Sequence, residues 1–294
     1  MTNVISLFCL VDDFCKIFEP EWNKHLLATN IKKRIRSSNL STSEVMTIII
    51  LFHQSGYRTF KMFYINYVGK YLLKDFPQLV SYNRFVELTK SVLVPLCFFT
   101  QLFTGQKTGI YFIDSMLIKA CHIKREKQNK VFKGIAQKGK SSVGWFFGFK
   151  LHLVINDRGE IMAFKLTSGN VDDRKVAPDL IGKLTGKLFG DKGYISQNLF
   201  EKLFDKGIQL ITRLKKNMKN KLMPLIDKIL LRKRGIIESV NDQLKNISQI
   251  EHTRHRSVWN FMCNILGALI AYMLKPNKPS LNIEKNIIDE LCSA

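Results

Sequence analysis

The sequence predicts an α/β protein: a mixed sheet of three antiparallel strands and then parallel strands, flanked by helices and preceded by an all-helical N-terminal domain. Three observations carry this reading. Residues 1–104 show helix starts and stops with little strand character. From residue 110 three β-favouring runs follow one another, the second and third separated by Asn156-Asp157-Arg158-Gly159, whose Asx and Gly residues suit a hairpin turn. Beyond them helical and strand patterns alternate, as parallel strands joined by crossovers require.

The elements follow in order. Ser41-Thr42-Ser43-Glu44 is a capping box, in which Ser41 and Glu44 satisfy each other's free backbone N–H groups. It opens an apolar segment over residues 45–52, closed by Gly56. A second helix is expected over 83–93, with Pro95 at or near its end. Thr104 to Gly109 reads as a linker. Strands are expected at 110–118, 145–155, 160–166, 188–190 and 208–214. Helices are expected at 173–184, at 196–206 with Ser196 as cap and Gly207 as stop, and from Leu225 onward. The expected spans are therefore a helical domain at 1–104, a catalytic domain at 110–275 and a tail at 276–294. Such a mixed sheet with helices on its faces is the RNase H-like arrangement.

Composition narrows the partners. Lys and Arg number 46 against 24 acids, a net charge of +22. A polyanionic partner suits that excess, because each neutralised phosphate releases condensed counterions. No apolar run approaches the roughly 20 residues a spanning helix needs. Asp12-Asp13 follow the apolar start and no basic stretch precedes it, so no signal peptide is read there. Six cysteines are scattered without a Cys-x-x-Cys pair, which points to free thiols in a reducing cytosol.

Three acids stand in telling places. Asp114 interrupts the apolar run Tyr111-Phe112-Ile113-Asp114-Ser115-Met116-Leu117, where a buried carboxylate is costly unless a cation compensates it. Asp191 follows a short strand in Phe189-Gly190-Asp191-Lys192-Gly193-Tyr194, at the end where open α/β sheets place their chemistry. Taken alone, that stretch is an ordinary turn. Glu238 shares a helix face with Arg234, Asn241 and Lys245, while Ile237, Val240, Leu244 and Ile247 form the neighbouring stripe that would dock on the sheet. The first and fourth strands are neighbours in the RNase H-like arrangement, so Asp114 and Asp191 would face each other and a later helix would bring in Glu238. Converging hard oxygens with open positions suit Mg²⁺, or Mn²⁺, rather than zinc. Two such ions could activate a water or a 3′-hydroxyl and stabilise the departing 3′ oxygen. Asp172 and Asp173 compete for a metal role but fit helix-cap positions, and His152 reads as a half-buried strand residue.

At these residues the chain resembles bacterial DDE insertion-sequence transposases, specifically the insertion-sequence group nine-eighty-two, over nearly its whole length. The likeness rests on Phe8-Cys9-Leu10-Val11-Asp12-Asp13-Phe14, Phe112-Ile113-Asp114-Ser115 and Gly144-Trp145-Phe146-Phe147-Gly148-Phe149-Lys150-Leu151-His152. It rests also on Gly169-Asn170-Val171-Asp172-Asp173-Arg174, Phe189-Gly190-Asp191-Lys192-Gly193-Tyr194 and Ile237-Glu238-Ser239-Val240-Asn241. The resemblance implies an RNase H-like catalytic domain, a divalent metal, and cutting and rejoining at terminal inverted repeats, with Asp114, Asp191 and Glu238 where the family's three acids fall. A related branch carries a Tyr, an Arg and a Lys around its Glu. Here Arg234 and Lys245 keep that spacing, whereas Leu231 occupies the Tyr position.

Positive charge concentrates in two segments. Residues 119–150 hold nine Lys or Arg and one acid, and residues 206–256 hold thirteen against four. Lys150, Lys192, Lys215, Lys216, Arg232, Lys233, Arg234, Lys245, Arg254 and Arg256 are the candidate DNA contacts. Trp259 could add stacking or begin an apolar helix. The expected partners are double-stranded DNA with inverted repeats, target DNA and a second copy of the chain, in the cytoplasm with the nucleoid and with no membrane. Two alternatives remain open at this point: an RNase H-like metal nuclease without strand joining, and a non-catalytic DNA-binding protein derived from a transposase.

Overall fold

The computed structural model describes residues 3–31, 34, 38–141, 144–213, 223–251 and 255–282. The candidate contacts Lys215, Lys216 and Arg254 lie outside the described residues, as does the tail from residue 283. The chain forms two compact units. One comprises Met1–Phe103 with Leu244–Leu274, the other Thr104–Gln243 with Lys275–Ala294. The expected 110–275 span thus runs through both.

The first unit is helical. Helix α1 (Val4–Ala28) buries Leu7, Val11, Cys15 and Leu26 along one stripe. Helix α2 (Thr42–Gln54) opens on the expected capping box, with Ser41 accepting from the Glu44 N–H and Glu44 accepting from the Ser41 N–H at 2.7 Å. Where one helix was expected over 83–93, two form: α3 (Tyr82–Thr89) and, after a single 3₁₀ turn, α4 (Leu93–Gln101). Pro95 therefore opens a helix rather than ending one. In a first turn its missing N–H has no intrahelical partner to lose. The apolar segment after Ser257 is a helix buried on nearly every side, as its lack of a polar face requires. It packs on α2 so closely that a Cβ at Gly267 would stand 2.6 Å from Ile49 and 2.9 Å from His53.

The second unit is built on a six-stranded mixed sheet: β1 (Ile110–Cys121), β2 (Gln137–Ser141), β3 (Gly144–Asn156), β4 (Ile161–Ser168), β5 (Gly186–Gly190) and β6 (Ile208–Thr212). Strand order is β2-β3-β1-β5-β6, and β4 also pairs with β3. The pairs β1–β3, β2–β3 and β3–β4 are antiparallel, while β1–β5 and β5–β6 are parallel. This is the expected mixed sheet flanked by helices, consistent with an RNase H-like domain. Strand β2 was not expected, because Gln137 to Ser141 alternates lysines with small residues and has no apolar face to betray it. It and β4 share one edge of β3, β2 against Gly144–Gly148 and β4 against Phe149–Ile155.

Helices α5 (Asp173–Ile181) and α6 (Gln197–Phe204) join the parallel strands. They bury Val176, Leu180, Leu199 and Leu203 with Tyr111, Ile113 and Leu188 of the sheet. Ser196 caps α6 as expected. Helices α7 (Leu225–Arg232) and α8 (Gly235–Asp242) follow, α7 against β5 and β6 and α8 against β1. Ile237 and Val240 are fully buried as anticipated, but Ile247 is 46% exposed. A π-turn at Gln243–Ile247 is the reason: its wider i→i+5 bonding rotates the following residues off the 3.6-residue stripe.

Candidate active site

Strand β1 is wholly buried from Ile110 to Ile113 and becomes partly open at Asp114. It pairs with β5 through Ile110↔Lys187, Tyr111↔Leu188 and Phe112↔Phe189. Two residues further along stand Asp114, within β1 where its pairing with β5 has ended, and Asp191, just past the carboxyl end of β5. Gly190 keeps this end tight, since a Cβ there would meet Ile113 and Tyr194 at about 3.3 Å. From α8, Asn241 Nδ2 donates to Asp114 Oδ2 at 3.1 Å. Glu238 lies nearly one turn earlier on the same helix and accepts from the Arg234 guanidinium at 2.7 Å.

Electrostatics joins the three acids. Burial pushes the Asp114 carboxyl up to about 6. The Ser115 backbone N–H and Arg234 pull it down, and the negative charges of Asp191 and Glu238 push it up again. Asp114 thus carries a charge in a place that penalises it, within reach of both other acids. Among the described residues no group of three or more His, Cys, Asp or Glu is gathered tightly enough to hold a metal ion. Asp191 is exposed, and Glu238 is held by Arg234 on an open side of the helix.

Ser115, next along β1, points to the opposite face of the sheet. Its hydroxyl donates to Asp173 Oδ2 at 2.9 Å, and Lys150 Nζ donates to Asp173 Oδ1 at 2.9 Å and to the Val171 carbonyl at 3.0 Å. Only 14% of the Lys150 side chain is exposed, so its ammonium serves this internal pair. His152 is buried rather than half-buried, with Nε2 at 2.8 Å from the Thr167 hydroxyl. Burial drives its pKa down to about 4, leaving it neutral. Asp172 caps α5 and is clamped by Arg174, whose hydrogen bond brings its carboxyl down to about 2. Tyr194 sits over Gly190 with its hydroxyl buried and without a hydrogen-bond partner among the described residues. Burial and then the charges of Asp173 and Asp114 hold its pKa well above the usual phenol value.

Of the remaining candidate contacts, Lys192, Arg232, Lys233 and Arg256 are exposed, Arg234 is partly buried against Glu238, and Lys245 pairs with Glu251 at 3.3 Å. Trp259 lies in the first turn of the apolar helix with 58% of its surface exposed. His255 packs edge-on against Phe261, and burial lowers its pKa to about 3.

A family model described as a transposase DDE domain matches residues 104–258, more than half of the chain. The chain belongs to the transposase DDE domain family. No curated protein matches it. The matched span of this DDE domain holds Asp114, Asp191 and Glu238 together with every strand of the sheet. Residues that the sequence did not single out as site components are Asn241, which donates to Asp114, and Tyr194, whose ring lies against Gly190. Asn241 was visible on the Glu238 face of the helix. Tyr194 carried no signal beyond following a Gly, and its burial beside charge appears only in three dimensions.

Proposed function

We propose that this chain is an insertion-sequence transposase of the group nine-eighty-two, which cuts DNA at the inverted-repeat ends of an element and joins those ends to target DNA. The observation that carries the reading is the parallel register of β1 and β5. It brings the Asp114 stretch of β1 next to the carboxyl end of β5, where Asp191 follows, and Asp191 and Glu238 both bear electrostatically on the Asp114 carboxyl.

The donor chemistry fits a magnesium or manganese centre: three carboxylates, no thiolate, and a largely buried Asp114 whose charge burial penalises more than Ser115, Arg234 and Asn241 relieve it. Asp114, Asp191 and Glu238 would hold the ions, and bound ions would supply a nucleophilic oxygen and neutralise the departing one. The chain's own residues do the positioning. Asn241 fixes which Asp114 oxygen faces α8. Arg234 holds Glu238 until a cation competes for it, and can then turn to a phosphate. The exposed Lys192, Arg232 and Lys233 border these acids in sequence and suit backbone phosphates of double-stranded DNA. The helical N-terminal region serves end recognition or pairing of two copies on two ends, and the protein works in the cytoplasm at the nucleoid. Among the described residues no helix is long and apolar enough to cross a membrane.

The test is metal-dependent cleavage of a duplex bearing the element's own terminal repeat. Asp114→Asn, Asp191→Asn and Glu238→Gln should each abolish cutting in Mg²⁺ or Mn²⁺ and leave duplex binding largely intact. Undiminished cutting by any of the three removes that residue from the triad. Cutting with no inserted product in a target plasmid indicates a nuclease without joining. Binding that never leads to a nick indicates a non-catalytic DNA-binding protein.

A further inference from the structure

Helix α1 turns one stripe inward, where Leu7, Val11, Cys15 and Leu26 are buried and Asp12 accepts from the Ser43 hydroxyl of α2 at 2.8 Å. A second stripe runs along the opposite side. Leu10, Asp13, Ile17, Pro20, Lys24 and Leu27 follow one another at alternating steps of three and four residues, the 3.5-residue period of a coiled-coil seam. All six are exposed, Ile17 at 78%, Leu27 at 44% and Leu10 at 41%. Beside this stripe the rings of Phe14 and Phe18 stack at 5.1 Å, and Phe18 lies 5.1 Å from Phe98 of α4, which is itself exposed. A single outward apolar residue needs no explanation, but a seam flanked by aromatic rings is a surface built for contact.

The charges on the helix say what that contact is. α1 holds four acids and two lysines within a chain of net charge +22, so it repels a phosphate backbone rather than seeking one. A parallel copy of the helix would set Asp13 against Asp13 and Lys24 against Lys24. An antiparallel copy, with the two-fold axis between Phe18 and Glu19, sets Leu10 against Leu27, Asp13 against Lys24 and Ile17 against Pro20. The stripe is therefore complementary to itself in both hydrophobicity and charge. Within one chain Lys24 pairs with Glu21 at 2.7 Å and Asp13 stands 3.8 Å from Lys16, all four side chains at least two-thirds exposed. Exposed pairs of this kind contribute little, so Asp13 and Lys24 can exchange them for each other across the axis.

We propose that the outer stripe of α1 binds a second copy of the chain as an antiparallel helix pair. The seam from Leu10 to Leu27 is roughly 26 Å long at 1.5 Å per residue. The Phe18–Phe98 flank widens it toward the roughly 1,000 Å² that a specific interface buries. Asp13 and Lys24 fix its direction and register at some loss of affinity, as polar seam residues do in coiled coils. The pairing stands on α1 alone. Its use, to supply one catalytic domain to each of two DNA ends, rests on the transposase reading.

The experiment is sedimentation equilibrium of the full-length protein without DNA and with a chelator, from about 1 to about 100 µM, where wild type should show a monomer–dimer equilibrium. Ile17→Glu should leave only monomer. Asp13→Lys alone and Lys24→Asp alone should each weaken the dimer by about tenfold or more, because each sets like charges together at both symmetric contacts. Combining Asp13→Lys with Lys24→Asp should bring the affinity back to within about threefold of wild type. A role of these residues in folding alone would not be rescued in that way, and circular dichroism with a urea melt checks the fold of every variant. A wild type that stays monomeric overturns the pairing. So does a dimer indifferent to Ile17→Glu, or a double variant no better than the singles. Single reversals that change duplex binding and leave the dimer intact make α1 a DNA contact instead, and overturn it too. Magnesium-dependent cutting is measured separately. A monomer whose cutting depends on Asp114 refutes the pairing alone, whereas a rescued dimer with cutting insensitive to Asp114→Asn refutes the triad alone.

Discussion

Asp114→Asn should inactivate the site and also stabilise the metal-free protein. The carboxyl is pushed from 3.8 up to about 6, chiefly by burial. A shift of roughly two pH units corresponds to about 3 kcal/mol of stability missing whenever the group is ionised in the fold. The direction follows from proton binding. An acid with a raised folded-state pKa binds its proton more tightly in the native state, so the penalty is complete above about pH 6 and gone below 3.8. Asparagine keeps the shape and still offers a carbonyl to Asn241, so the bond from α8 survives. In chelator at about pH 8 the variant should gain up to about 3 kcal/mol in a denaturant titration, or roughly 6–12 °C in melting midpoint. Near pH 4.5 the gain should shrink to about 1 kcal/mol. Adding Mg²⁺ should raise the wild-type midpoint more than the variant's, since only a state that binds the ion is stabilised by it. A variant no more stable than wild type at pH 8 would refute the premise that burial penalises the charge at this position of β1.

Two further predictions concern the scaffold. His53 is buried with Nδ1 donating to the Ser248 carbonyl at 2.5 Å, and burial lowers its pKa from 6.5 to about 4, with His255 held still lower nearby. The unfolded chain therefore takes up the proton first, and stability contributed by neutral His53 is lost as pH falls from 6.5 through 4. Urea melts from neutral to about pH 4 should show a loss near 3 kcal/mol that His53→Gln removes, and equal acid sensitivity in that variant would exclude His53 as its source. Gly186 opens β5 at φ +119, where an added Cβ would meet the Gly109 carbonyl oxygen at 2.3 Å. Gly186→Ala should cost at least about 2 kcal/mol, while Gly193→Ala, with open space around it, should change stability by under about 0.5 kcal/mol; equal melts for the two would contradict this geometry.

Much of the fold was legible because its signals are local. The capping box of α2, the Asn156 turn and the Ser196 cap each depend on a few adjacent residues, and each forms as read. Expectations failed where the deciding interaction is distant or cooperative. Pro95 stops or starts a helix according to what precedes it, and here a 3₁₀ turn separates it from α3. The lysine-rich β2 is a strand because β3 offers a free edge, not because of its own apolar pattern. Ile247 left the expected stripe because a π-turn intervened, which no periodicity can announce.

The same division explains the site. A lone carboxylate in an apolar run is a sequence-level anomaly, and Asp114 was found that way. Its partners Asp191 and Glu238 each allowed an ordinary reading as a turn residue or half of an i, i+4 pair, and Glu238 does pair with Arg234. The β1–β5 register and the Asn241 bond bring β5 and α8, the elements beside those acids, onto the Asp114 strand, although among the described residues the three carboxyls are not gathered tightly enough to hold a metal. Lys150 shows the converse. Its place at the end of the basic segment 119–150 suggested a phosphate contact, yet it is pinned between Asp173 and the Val171 carbonyl. Its charge holds the loop after β4 against β3. A lysine in a basic stretch of sequence can therefore serve the scaffold alone, because a buried carboxylate claims its charge before solvent or a ligand can.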